Sequence, residues 1–206
     1  MRDFFYFISM NLALTNEPNS LCVLRRTICE QTGETKYEAV HLERFALGTS
    51  YQAMAAHAAH LMGTEPLAGH SCVIVDAARV GTSVIQHFQQ ATQGLLQPVC
   101  ITTERVAGIS GHCYTAPLCD LVGLFQMLQG EGRVLIAETL ALAGTLRREL
   151  NSFRFRQPSA ELDVYEAIRA GTCTDLVLAL LLGLWTAERL IPHRRYSFLD
   201  AGFYPQ

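Results

Sequence analysis

FFYFISMN (residues 4–11) is an apolar run interrupted by Ser9 before it reaches Asn11, and the TNEPNS that follows (15–20) is turn-rich. Aromatic residues bounded by Asn, Pro and Ser read as a strand over 4–12. A strand apolar on both faces is covered on both faces, which makes it central in a sheet flanked by helices. The residue near the carboxyl end of such a strand often faces a ligand site. An aspartate at that point would be an anionic metal ligand, whereas Asn11 has an amide.

Working outward, LCVLRRTICE (21–30) and KYEAVHLERFAL (36–47) read as two further strands. The connections are short, so the first three strands form an antiparallel meander. GTSYQAMAAHAAHLMG (48–63) has helical composition, with Thr49 or Ser50 as its cap. A short apolar strand ending at Asp76 follows, then a helix over 80–91 and a strand over 96–104. ERVAGISGHCYT (104–115) is Gly-containing without periodicity and reads as a loop. Beyond Pro117 the pattern gives a helix, a short strand or extended segment RVLIAE (133–138), a helix over 139–150, a hairpin over 153–169 and a final apolar helix over 175–190. The fold class expected is α/β, a mixed sheet of a three-strand meander followed by β-α-β units, flanked by helices.

Composition narrows the function classes. Of 206 residues half are apolar and 17% charged, which describes a folded globule, read as one domain over 1–190. The tail, 191–206, carries Phe198, Phe203 and Tyr204 and is expected to dock on the domain or on a partner. A net charge of −3 argues against gripping nucleic acid by electrostatics alone. Lys36 is the single lysine, so arginine supplies the other positive charges.

Seven scattered cysteines without a C-x-x-C pair read as reduced and buried in an intracellular, cytoplasmic protein. A Cys113/Cys119/His112 metal site lacks a second ligand pair with zinc-like spacing. The run Phe4–Leu14 is interrupted by Ser9 and Asn11 and has no clean cleavage site, so it does not read as a signal peptide. Leu176–Trp185 is too short to span a bilayer, and no membrane role is expected.

Three side chains stand at element junctions: Asn11 ends the first strand, Asp76 ends the strand CVIV, and Asp175 opens the last helix. Convergence at the carboxyl ends of the strands would suit divalent cations that clamp a phosphodiester. Each also has an ordinary explanation. Asp175 suits a helix cap, Asp76 a strand-to-helix turn, and Asn11 a turn, an amide being a poor ligand for a hard dication.

Five blocks carry a resemblance. YFISMNLALTNEPNSLCVL (6–24), HLERFALGTSYQAM (41–54), VIVDAARVG (73–81), APLCDLVGLFQMLQGEGRVLIAETLALAGTLRRELNSFR (116–154) and VYEAIRAGTCTDLVLALLLGLW (164–185) resemble, in order, the nuclease domain of phage large terminase subunits. The resemblance runs from about residue 4 to 190 and implies a ribonuclease H-like fold. It also implies a first-strand aspartate, an acid after the fourth strand and one or two acids opening the last helix, jointly holding Mg²⁺ or Mn²⁺. By position, Asp76 matches the second acid and Asp175 the latter of the last pair. Thr174 replaces the former of that pair, Asn11 stands where the first aspartate belongs, and Leu118 takes the place of a frequent lysine. Glu17 fits an acidic position in the turn after the first strand.

Loss of a bridging carboxylate leaves only Asp76 and Asp175 as clear anionic ligands, so the expectation is a weak cation site and weak or absent nuclease activity. Arg147, Arg148, Arg154 and Arg156 are candidate phosphate contacts. The partners implied are double-stranded DNA and other phage packaging proteins. With no ATPase motor preceding the domain, the chain is not expected to package DNA alone. Three readings stay open: a metal-dependent endonuclease such as a prophage remnant would carry, a non-catalytic domain that binds DNA or a protein, and an unrelated α/β small-molecule-binding protein with structural acids.

Overall fold

In the computed structural model, residues 3–13, 18–29, 31–152 and 174–191 are described. The expected hairpin over 153–169, the tail beyond Ile191, and Glu17, Arg154, Arg156 and Cys173 lie outside them.

Eight strands form one sheet. They are β1 (Asp3–Asn11), β2 (Ser20–Ile28), β3 (Thr35–Arg44), β4 (Ser71–Asp76), β5 (Leu96–Thr102), β6 (Gly108–Ser110), β7 (Cys113–Pro117) and β8 (Val134–Ile136). Their spatial order is β6-β7-β5-β4-β1-β2-β3-β8. β1, β2 and β3 pair antiparallel as the meander predicted, while β4 lies parallel to β1 and β5 parallel to β4. β1 is therefore central, with Phe7, Ile8 and Met10 fully buried.

Helices α1 (Tyr51–Met62) and α2 (Thr82–Ala91) cover one face; α3 (Leu118–Gly130), α4 (Ala143–Ser152) and α5 (Asp175–Arg189) cover the other. Strand alternation separates the two cores. Tyr6, Ile8, Met10, Val73 and Val75 pack toward α1 and α2, whereas Phe7, Cys22, Leu24, Cys72 and Ile74 pack toward α5. Ser50 caps α1, its hydroxyl accepting from the Ala53 amide at 3.2 Å.

Two sequence expectations change. Residues 104–115 are not simply loop, because β6 and β7 form a hairpin whose second strand pairs parallel with β5. β6 is exposed throughout, so it has no buried face to impose an alternating pattern, and backbone pairing alone defines it. The helix expected over 139–150 begins later, at Ala143, after a turn that follows β8. β8 pairs parallel with β3 and closes the far edge of the sheet. Of the described cysteines, all unpaired, Cys22 and Cys72 are buried as expected but Cys119 is exposed.

α5 lies unusually close to the sheet because Gly183 faces it. A Cβ on Gly183 would come within 2.6 Å of Leu24 Cδ1 and 2.7 Å of Ser9 Oγ. The Ser9 hydroxyl donates to the Ala179 carbonyl at 2.7 Å, tying β1 to the helix, with the Cys22 carbonyl at 3.1 Å. At the other end, Trp185 Nε1 donates to Asp120 of α3 at 2.7 Å. Gly183→Ala is expected to destabilise the chain by about 1–3 kcal/mol, the usual cost of overpacking. The effect would be read as a lower denaturation midpoint in urea.

Candidate functional site

The carboxyl end of β1 gathers a row of polar side chains on the face that carries α5. Phe7 and Ser9 point to α5, so Asn11 continues that set, and Asp76 continues the set of Cys72 and Ile74. The parallel register pairs Met10 with Val75, and one residue further on it sets Asn11 beside Asp76. On the other side of Asn11 the ladder runs to Ser20 of β2 and then to Arg44 of β3. Asp76, Asn11, Ser20 and Arg44 thus cross four neighbouring strands in one line.

Arg44 reaches this face because of a β-bulge. β2 and β3 shift register between Val23 and Leu24, which face His41 and Ala39, leaving Val40 as the extra residue. An inserted residue reverses which face later side chains take. Ala39 and Leu42 both pack in the α5 core, and Arg44 follows Leu42. His41 and Glu43 turn to the opposite face, where Glu43 Oε2 meets His57 Nε2 of α1 at 2.8 Å.

Asp175 sits over this row at the start of α5. The Ser20 hydroxyl donates to its carbonyl at 2.8 Å. Arg44 Nε donates to Oδ2 at 2.8 Å and Nη2 to Oδ1 at 2.7 Å, so the guanidinium grips both carboxylate oxygens. The same Nη2 donates to Glu149 of α4. Glu149 also accepts from the Val177 amide at 3.4 Å, in the first turn of α5. Thr174, not Asp175, is the residue preceding the helix, and it makes no side-chain cap bond. Glu149 supplies an acceptor for the helix terminus in its place.

The electrostatics follow from burial. Asp175 and Glu149 side chains are 5% and 7% exposed. Burial and the nearby Asp175 charge push the Glu149 carboxyl up to about 7, against the pull of Arg44 and the Val177 amide. Burial likewise raises Asp76 to about 6, opposed by the Ala78 and Ile101 amides, which donate to Oδ1, and by the charge of Arg79.

The three residues singled out from sequence are thus neighbours at one end of the sheet, with Asn11 between the two acids. Asp76 and Arg44 stand three strand spacings apart, roughly 14 Å along the sheet. Arg147 and Arg148 lie on α4 beside Glu149; Arg147 pairs with Glu138 at 3.2 Å and Arg148 donates to Thr145. Arg44 and Glu149 were missed by the sequence reading. Both fall inside the resembling blocks, as HLER and RREL, but nothing local joins residues 105 positions apart.

The residues present do not fit a two-metal centre. Asp175 already gives both oxygens to a guanidinium, and the position between the acids is an amide. Among the described residues no group of three His, Cys, Asp or Glu side chains is placed to hold a metal ion. No described helix is long and apolar enough to cross a membrane.

No family model and no curated protein matches the sequence. Solved structures do match the fold. The human cytomegalovirus terminase nuclease domain, soaked with manganese, aligns over 91% of this chain and 85% of its own, with TM-score 0.55 and 12% identity. The large terminase nuclease of the thermophilic phage G20c aligns over 90% and 83%, with TM-score 0.52 and 18% identity. The fold is therefore that of a ribonuclease H-like α/β domain. Within that class, the chain has the fold of terminase nuclease domains.

The raised Asp76 carboxyl has a thermodynamic consequence. Its folded pKa lies above the ordinary 3.8, so the native state holds the proton more tightly. That contribution is full below about pH 4 and is lost as pH rises through about 6. Asp76→Asn keeps an oxygen for the two amides and removes the charge. In chelator, urea unfolding should show the variant gaining stability relative to the native chain between pH 4 and 7. The gain is expected to be on the order of 3 kcal/mol.

Proposed function

We propose that this chain is a nuclease-type domain of the terminase kind in which phosphodiester hydrolysis has lapsed and contact with duplex DNA is retained. The observation that carries the reading is Asn11, standing between Asp76 and Asp175 at the carboxyl end of the central strand. An asparagine offers one carbonyl oxygen and a competing NH₂ donor, so it cannot bridge two cations as a carboxylate does. Without that bridge, no hydrolytic step is derived for Mg²⁺ or Mn²⁺ at this site.

The DNA side of the proposal rests on four arginines, two of them on α4. Arg147 and Arg148 immediately precede Glu149, and Arg154 and Arg156 follow in sequence. Guanidinium groups suit phosphate oxygens through paired N–H donors. With a net charge of −3, binding by such a local patch would be modest and sharply salt-dependent. Packaging proteins are the partners that the terminase neighbours suggest.

Two measurements test this. Purified chain with Mn²⁺ should leave supercoiled plasmid uncut, and Asp76→Ala should behave identically. Cleavage by the native chain that Asp76→Ala abolishes would overturn the lapse. In gel shifts at low salt, the chain should bind duplex DNA. Replacing Arg147, Arg148, Arg154 and Arg156 by glutamine should weaken that binding by about tenfold or more. No detectable DNA binding would leave a protein partner as the retained function.

A further inference from the structure

The loss of a carboxylate at Asn11 is half of the change in this corner; the other half is the cation already present. Two divalent ions would bring four positive charges to a carboxylate cluster, and a guanidinium brings one. Here one guanidinium faces two acids, and burial and the Asp175 charge raise Glu149 toward neutrality. Asp175 is paired through both oxygens, and Glu149 meets the same Nη2 of Arg44. Both carboxylates are nearly fully buried while Arg44 remains 27% exposed. Buried carboxylates need a compensating charge to be tolerated.

We infer that Arg44 is a built-in substitute for the metal: its guanidinium occupies the charge-neutralising role of a divalent cation over Asp175 and Glu149, and so excludes one. The inference rests on the nuclease-type reading only in treating this corner as the place where a cation would be held. It adds that restoring the carboxylate at Asn11 is not sufficient to restore a metal site, because Asp175 is not available to it.

Three connections built into the fold hold Arg44 in place. The Val40 bulge turns it onto the α5 face. The Ser20–Asp175 hydrogen bond fixes the start of α5 above it. Glu149, anchored on the Val177 amide, closes the far side. A divalent ion would have to displace a fork of charge-assisted hydrogen bonds from a buried carboxylate, and a hydrated ion does so poorly.

The test is cation binding by the full chain without DNA. It is read by Mn²⁺ electron paramagnetic resonance and by thermal midpoint in Mn²⁺ against chelator. The native chain should bind no Mn²⁺ at sub-millimolar affinity and shift by less than about 1 °C in millimolar Mn²⁺. Asn11→Asp, which keeps Arg44, should behave the same. Arg44→Gln should melt roughly 10 °C lower in chelator and regain part of that in Mn²⁺. Asn11→Asp combined with Arg44→Gln should bind Mn²⁺ at least about tenfold more tightly than Asn11→Asp alone.

Sub-millimolar binding by the native chain or by Asn11→Asp would overturn the inference, as would no gain on removing Arg44 from a folded variant. If the Arg44 variants do not fold, the native and Asn11→Asp measurements decide it. Cleavage gained by Asn11→Asp alone would defeat this inference while leaving the lapse of the native site intact.

Discussion

A single guanidinium holding two buried carboxylates organises the working end of this molecule. Arg44 comes from the meander, Asp175 from the last helix and Glu149 from the helix before it, so one side chain ties three separate regions together. Such a triad is not a strong net source of stability, since desolvating its members costs about as much as their attraction returns. What it supplies is position. The start of α5 is held over the ends of β2 and β3, and the apolar length of that helix is laid across β1 with Gly183 against Ser9 and Leu24.

The acids of this corner differ in how their charge is met. Asp175 is satisfied by Arg44, and Glu149 is raised toward neutrality by burial and by Asp175. Asp76 stands apart from both, buried and raised. The acids at this end of the sheet are thus divided into an arginine-bound pair and a separate acid. Asn11 is the point of division.

Much of the scaffold could be read from residue patterns. The central strand, the meander, the Ser50 cap and the final apolar helix follow from period and turn chemistry, and the placement of Asn11, Asp76 and Asp175 at element ends was legible because they interrupt apolar runs there. The parts that escaped depend on pairing rather than pattern. The β6–β7 hairpin has no buried face to mark it, and although RVLIAE reads as a short strand or extended segment, its pairing with β3 has no local signal. Arg44 and Glu149 escaped for a different reason. Counting alternation along KYEAVHLER turns Arg44 to the α1 side, since a bulge at Val40 has no local signature. Glu149 escaped because its partners lie in distant elements.

That bulge has a consequence for how such a site changes over time. Beyond Val40, the side chains of β3 are assigned to faces by the register that the bulge sets. Regular pairing through Val40, without the bulge, would send Glu43 toward α5 and Arg44 toward α1, with no change to either side chain. The same few residues would then present an acid to the corner instead of a base. The sign of the charge over Asp175 is thus held by a single unpaired residue, and a slip in register, not a change of side chain, would reverse it.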